Sequence, residues 1–211
     1  MIKLINKTII IAILISSCTI DSGDKNVERG SNYFLKGNYK KAESELKKAV
    51  DKKLFHYSRK ELYTILGNVY NELEMFDSSI VYHKKALQID SNYVEALVNL
   101  GIVYRLTSDF KMAEECYTKA KKINPEDPEL YSSLGALYIY KGEPELAIEN
   151  LEKSIELDPQ LVVAYSNYSL ALAMIGEYDK AEKELKKAVA MGYKNGDIIK
   201  QRIEELKKLD N

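Results

Sequence analysis

Two cysteines and two histidines, Cys18, Cys116, His56 and His83, are the side chains of this 211-residue chain best suited to nucleophilic or metal chemistry. Their placement supports neither. Zinc sites draw on Cys and His residues paired at short spacings, and no such pair occurs here. Cys116 lies in "AEECYTKA" directly after Glu114 and Glu115, whose charge opposes the thiolate that a reactive cysteine requires. A small, buried or half-buried apolar residue is the better reading. His83 falls where the surrounding helical rhythm asks for packing, and His56 falls in an irregular link. There is no G-x-S-x-G, no Walker glycine loop and no G-x-G-x-x-G, and the carboxylates are spread along helix faces without a pairing that spacing singles out. The acidic "NPEDPE" at 124–129 suggests calcium less than it suggests punctuation, since its prolines stop one helix and open the next. The expectation is a non-enzymatic chain with no catalytic residue, no metal site and no cofactor.

At Cys18 a different chemistry is expected. "MIKLINKTIIIAILISSC" opens with Lys3 and Lys7, runs through an apolar block from Ile9 to Ile15 and closes with small residues. That block is too short to cross a bilayer as a helix, so residues 1–17 read as a secretion signal. Ile15, Ser16, Ser17 and Cys18 resemble the lipobox of bacterial lipoproteins, an aliphatic residue and two small ones ahead of a cysteine. The resemblance implies cleavage before Cys18, a diacylglyceryl group on its thiol, and a mature chain hung from a bacterial cell-envelope membrane on a tether of residues 18–24. An ordinary signal peptide with a chance cysteine is the alternative. Asp, which in many two-membrane bacteria directs such proteins to stay at the inner membrane, is absent from position 19, so the outer membrane is favoured where the source has one. With Cys18 lipidated, Cys116 stands alone and no disulfide framework exists.

The remainder of the chain repeats itself. "LGNVY" at 66–70 returns as "LGIVY" at 100–104 and "LGALY" at 134–138, placing Gly67, Gly101 and Gly135 at steps of 34 residues; a further step reaches Ser169, and Gly30 stands 37 residues before Gly67. A fixed period of this length marks a stacked repeat protein. Within 94–127, Leu97, Leu100, Gly101 and Tyr104 recur at helical spacing, Thr107 to Asp109 supply turn and cap chemistry, and Phe110, Ala113, Tyr117 and Ala120 resume the rhythm until Asn124 and Pro125 end it. Each period therefore predicts two antiparallel helices, with small residues where backbones must approach. The pattern resembles the tetratricopeptide repeat, in Leu97, Leu100, Gly101, Tyr104, Ala113, Tyr117, Ala120 and Pro125 and again in Tyr131, Leu134, Gly135, Tyr138, Ala147, Leu151 and Pro159. Flanking units depart from it, with Ser79 and His83 in the second repeat and Tyr168, Ser169 and Leu172 in the fifth. The resemblance implies an all-α, right-handed α-solenoid of about five repeats, at approximately 23–56, 60–93, 94–127, 128–161 and 162–193. Residues 194–211 follow as a capping helix with Ile198, Ile199, Ile203 and Leu206 on its apolar side and Lys200, Arg202, Glu204 and Lys207 facing away.

The chain has 16 tyrosines and no tryptophan. Eleven of the tyrosines, at 33, 39, 63, 70, 104, 117, 131, 138, 165, 168 and 178, fall where the repeat buries an aromatic, so they read as core. Net charge is −1, and loss of residues 1–17 removes only Lys3 and Lys7, leaving −3. No basic face for nucleic acid and no polybasic membrane signal is present.

In the family the resemblance points to, the first helices of successive pairs line a groove that takes an extended peptide or a partner's helix. Carried over residue by residue, the groove positions are Asn68, Asn71, Asn99, Ile102, Arg105, Ile139, Tyr140 and Asn167, with Thr64, Val98, Ser132, Ala136, Ser166, Leu170 and Met174 beside them. Asparagines can pair with both sides of an extended backbone, and the apolar positions can take its side chains. Arg105 is the one strong cation of the set, which argues against the carboxylate clamp of chaperone-tail binders. The partner is expected to be a protein or peptide of unknown identity, not nucleic acid or a small-molecule substrate, with the membrane reached through the lipid. A scaffold at the envelope is the leading expectation; a pilotin-like assembly factor and a non-catalytic tether for an envelope enzyme are the alternatives. The bland alternative is an empty groove, or one filled by the chain's own C-terminal segment.

Overall fold

The structure, a computed structural model, describes residues 22–210. Among these there are eleven α-helices and no strand, in two compact units that meet in sequence at Ser58 and Arg59. Cys18 lies outside the described residues.

The first unit holds α1 (Asp24–Leu35) and α2 (Tyr39–Ala49). Val27, Ala42, Leu46 and Ala49 are fully buried between them, and Gly30 lies so close under Leu46 that any Cβ would overlap it. The chain then folds back on its start. Gly23 N–H donates to the Lys53 carbonyl at 2.9 Å, and the Asp24 carboxylate accepts the backbone N–H groups of Phe55, His56 and Tyr57 at 3.1 to 3.4 Å. Burial alone would raise the Asp24 pKa, but these amides hold it below the usual carboxylate range. Asn26, also buried, donates to Glu45 at 2.9 Å and accepts from Lys52 at 3.1 Å. The 37-residue step from Gly30 to Gly67 thereby has a physical account: the link after α2 is longer because it closes over the start of α1.

The second unit begins with α3 (Arg59–Glu72) and α4 (Phe76–Ile89), then α5 (Val94–Leu106) and α6 (Phe110–Ile123). It continues with α7 (Pro128–Lys141) and α8 (Pro144–Leu157), α9 (Val162–Met174) and α10 (Tyr178–Ala190), and ends on α11 (Gly196–Leu209). Each pair is fastened by a small residue on the first helix under a large one on the second. A Cβ on Gly67 would enter the His83 ring, on Gly101 the Tyr117 ring, and on Gly135 the Leu151 side chain. The repeat's departures are accommodated by hydrogen bonds to the neighbouring helix. Ser79 donates to the Gly67 carbonyl and Ser154 to the Pro128 carbonyl, both at 2.8 Å. Tyr131 and Tyr165 reach back from the first turns of their helices to the carbonyls of Pro125 and Pro159, at 3.1 and 3.2 Å, and tie down the turns between repeats. The turn inside each pair needs one left-handed residue, supplied by Gly142 and Gly176 but also by Glu74 (φ 57°) and Ser108 (φ 62°). A side chain incurs a steric penalty in that conformation, which glycine avoids.

The stack ends in α11, whose Ile199, Ile203 and Leu206 pack on Leu172, Ala173, Ala181 and Leu185. Ile198 departs from expectation: it is 66% exposed, because the buried stripe at 199, 203 and 206 follows the i, i+4, i+7 rhythm and 198 stands about 100° away from residue 199. One 34-residue step after Tyr168 and Ala171 stand Arg202 and Glu205, paired with each other at 3.1 Å. That charged pair suits a helix that closes the series. The tyrosines also depart from expectation. Of the eleven, Tyr70, Tyr104, Tyr117, Tyr131 and Tyr165 are buried, while Tyr33, Tyr39, Tyr63, Tyr138, Tyr168 and Tyr178 are half-buried, since a hydroxyl at a helix-pair rim finds water or a carboxylate more readily than an internal partner. Tyr168 donates to Glu152 at 2.8 Å and Tyr178 to Asp210.

Candidate functional site

Within the second unit, α5, α7 and α9 lie side by side, and α7 is the slight one. It presents Ser132, Ser133 and Ala136 where α5 presents Val98, Asn99 and Ile102 and where α9 presents Asn167 with Leu161 and Val163 just before and at its start. The result is a cleft of about 250 Å³, open to solvent, with α7 as its floor. Small-molecule and cofactor pockets usually hold about 300–1,000 Å³; this one suits a few side chains of another protein better.

Four of the eight groove positions carried over from the repeat meet in this cleft: Asn99, Ile102, Arg105 and Asn167. Tyr140 stands at its rim, 56% exposed, with the Arg105 guanidinium 4.7 Å from the ring centroid. Ile139 turns instead toward the apolar cluster of Ala147, Leu151, Ala164 and Ala171. Asn68 and Asn71 sit on α3, away from the cleft lining, and the Asn71 Oδ1 is buried without a hydrogen-bond partner among the described residues. Thr64 and Ser166 are buried and bonded to their own helices, to the carbonyls of Lys60 and Val163 at 2.9 Å each.

Ser133, Glu129, Leu161 and Val163 also line the cleft, and the repeat pattern alone does not single them out. For Ser133 a signal exists: it stands one 34-residue step from both Asn99 and Asn167, so the three form a row across the first helices. Leu161 precedes α9, and the repeat pattern does not mark it.

The two ends of the cleft differ in charge. At one end Glu129 has its pKa raised by burial and, after that, by the carboxylates of Asp127, Glu95 and Asp158. At the other, Arg105 lies beside the Tyr117 hydroxyl; burial pushes that phenol up to about 12, and the guanidinium partly opposes the shift. Neither the Arg105 Nε nor the Tyr117 hydroxyl oxygen has a well-formed hydrogen bond among the described residues. Between the ends are amides and hydroxyls that can address a peptide backbone, and apolar walls that can take its side chains.

Elsewhere, Cys116 is a free, buried thiol, pushed up to about 11 by burial and then by Glu115, which suits an inert packing role. No group of three or more His, Cys, Asp or Glu side chains among the described residues could hold a metal ion, and no described helix is long and apolar enough to cross a membrane.

Tetratricopeptide repeat models match residues 94–127 and 128–161, 150–183, and 60–93, an unbroken run over more than half of the chain. No curated protein sequence matches it. Among solved structures, a thermophilic TPR protein of Thermus thermophilus is similar at a TM-score of 0.75 and 17% identity, over 88% of this chain and 98% of its own. A tetratricopeptide repeat protein of Parabacteroides merdae gives 0.63 and 22%, over 87% and 72%. MamA gives 0.58 and 28%, over 77% and 93%. With three of the family's matches, 60–93, 94–127 and 128–161, each spanning one helix pair, a fourth overlapping the last pair, and these folds alongside, the chain belongs to the tetratricopeptide repeat family.

Proposed function

We propose that this protein is an interaction scaffold that holds an extended segment of a partner protein in the cleft over α7, and that it works from a lipid anchor at Cys18 in a bacterial cell envelope. The observation that carries the binding part is the row Asn99, Ser133 and Asn167 across a floor kept open by Ser132 and Ala136. Amides and a hydroxyl set across a shallow apolar trough can pair with an extended backbone passing over them while the trough takes its side chains. The anchor rests on the sequence alone. Five residues, Thr19 to Gly23, separate Cys18 from α1, so a lipid there would keep the start of the first helix within about 20 Å of the Cys18 backbone. A pilotin-like assembly factor or an enzyme tether would use the same cleft and anchor, and the captured partner's identity distinguishes them.

A photo-crosslinking residue placed at Ser133 tests the cleft in cells. A crosslinked partner is expected from position 133 and not from Lys183 on the exposed side of α10, and filling the floor with Ala136→Leu should abolish it. Equal crosslinking from both positions, or a product insensitive to Ala136→Leu, would refute the cleft as the binding surface.

A further inference from the structure

Arg105 is a charge without a counter-charge. No described carboxylate forms an ion pair with it, its Nε is buried without a well-formed hydrogen bond among the described residues, and the groups beside it are the neutral hydroxyl of Tyr117 and the ring of Tyr140. An aromatic face holds a guanidinium in place and leaves its edge able to grip a carboxylate through two parallel hydrogen bonds. Tyr140 itself is an exposed aromatic that the packing of its own repeat does not use. At the cleft's other end the situation is reversed: Glu95 and Asp158 lie within electrostatic reach of Glu129, and none of the three is in an ion pair among the described residues. Glu129 and Tyr140 are eleven residues apart on α7, hence about 16 Å along the helix axis, the length of about five residues of extended chain.

We propose that the segment held in this cleft carries an internal aspartate or glutamate, gripped by Arg105 against Tyr140, and a lysine or arginine about five residues away that faces Glu129. The proposal rests on the cleft reading above and adds the chemical class of its occupant. A partner's free C-terminal carboxylate is the competing source of negative charge. It fits less well, because Arg105 is the one strong cation among the groove positions, which argues against a clamp for a chain-terminal carboxylate.

The test is selection of random nonapeptides displayed with both ends fused, so that no free C-terminus is present, against the full-length protein in detergent. Wild type should enrich peptides with one acidic position and a basic position about five residues distant. For a selected peptide measured by fluorescence anisotropy, Arg105→Met should weaken binding at least about tenfold, as expected for loss of a charged hydrogen-bond pair. Arg105→Lys should keep the acidic preference, and Arg105→Glu should reverse it to a basic one, with circular dichroism confirming that each variant is folded. An unchanged acidic preference in Arg105→Glu overturns the assignment. So does enrichment only when the library presents free C-termini. Ala136→Leu separates the two readings: if it abolishes binding while the Arg105 variants do not, the cleft stands and the carboxylate receptor falls; if selected peptides bind Ala136→Leu as before, or none is enriched at all, both fall.

Discussion

His83 should make this protein acid-sensitive, and replacing it by leucine should remove the sensitivity. The ring is fully buried under Gly67, at the position taken by Leu46, Tyr117, Leu151 and Leu185 in the other pairs, and neither ring nitrogen has a hydrogen-bond partner among the described residues. Burial depresses its pKa from 6.5 to about 4. The folded state therefore resists a proton that the unfolded chain accepts. Above pH 6.5 both states are neutral and the site costs nothing in protonation; as pH falls from 6.5 toward 4, stability drops, and below 4 the loss levels off. Two and a half units would total about 3 kcal/mol, of which about 2 kcal/mol is lost between about pH 7 and pH 5. At neutral pH His83→Leu also removes buried polar atoms left unsatisfied, each worth about 1–3 kcal/mol, and puts a leucine where three other pairs already have one. Urea unfolding followed by circular dichroism at about pH 7 and pH 5, on wild type and His83→Leu, isolates the residue from every other titrating group. The variant should be at least as stable at neutral pH and should lose about 2 kcal/mol less on acidification. Parallel losses in the two proteins would refute the argument and mean that the ring has a partner or access to water.

Gly101→Leu should destabilise by about 1–3 kcal/mol or more, because the new side chain must displace the fully buried Tyr117 ring, and thermal melts should show it while Lys183→Ala melts like wild type. Ser108→Gly should raise the unfolding midpoint, worth up to about 1 kcal/mol, by relieving a left-handed serine in an exposed turn; a lower midpoint would mean that the added freedom of the unfolded chain outweighs the relief. Tyr140→Ala and Asn99→Ala should each weaken peptide capture with melting unchanged, the aromatic by about 2 kcal/mol, whereas Lys187 is no neutral control for such an experiment, since its ammonium lies 4.0 Å from the Tyr165 ring centroid. Cys18→Ala should abolish incorporation of a labelled fatty acid in cells, and label retained on that variant would end the lipoprotein reading.

The helix pairs are legible in the sequence because a 34-residue period leaves little freedom: a small residue under a large one and a second small residue at the crossing recur wherever two helices cross in the same way, with a proline at two of the exits. Even the irregular members obey this, His83 and Leu151 both filling the place of Tyr117. Ile198 escapes such a reading because periodicity gives the width of an apolar stripe only to within a residue, and the neighbour that covers the stripe sets its edge. The tyrosines are overcounted as core for a related reason. A pattern position says that a ring faces a neighbouring helix, but it does not say whether the hydroxyl end reaches water.

From the order of residues alone followed the all-helical class, the pairing of helices, the packing role of His83 and Cys116, and the argument for a lipid at Cys18, because each depends on local spacing or on a short run of side-chain types. Tertiary structure decided where a partner could sit. The cleft depends on the difference between α7 and its neighbours, three small side chains between larger ones on helices that are remote in sequence, and no single repeat contains that contrast. It also decided that Arg105 meets Tyr140, thirty-five residues later, and finds no carboxylate among the described residues: pairing of long side chains across helices is set by rotamer and by what else fills the space, which spacing cannot encode.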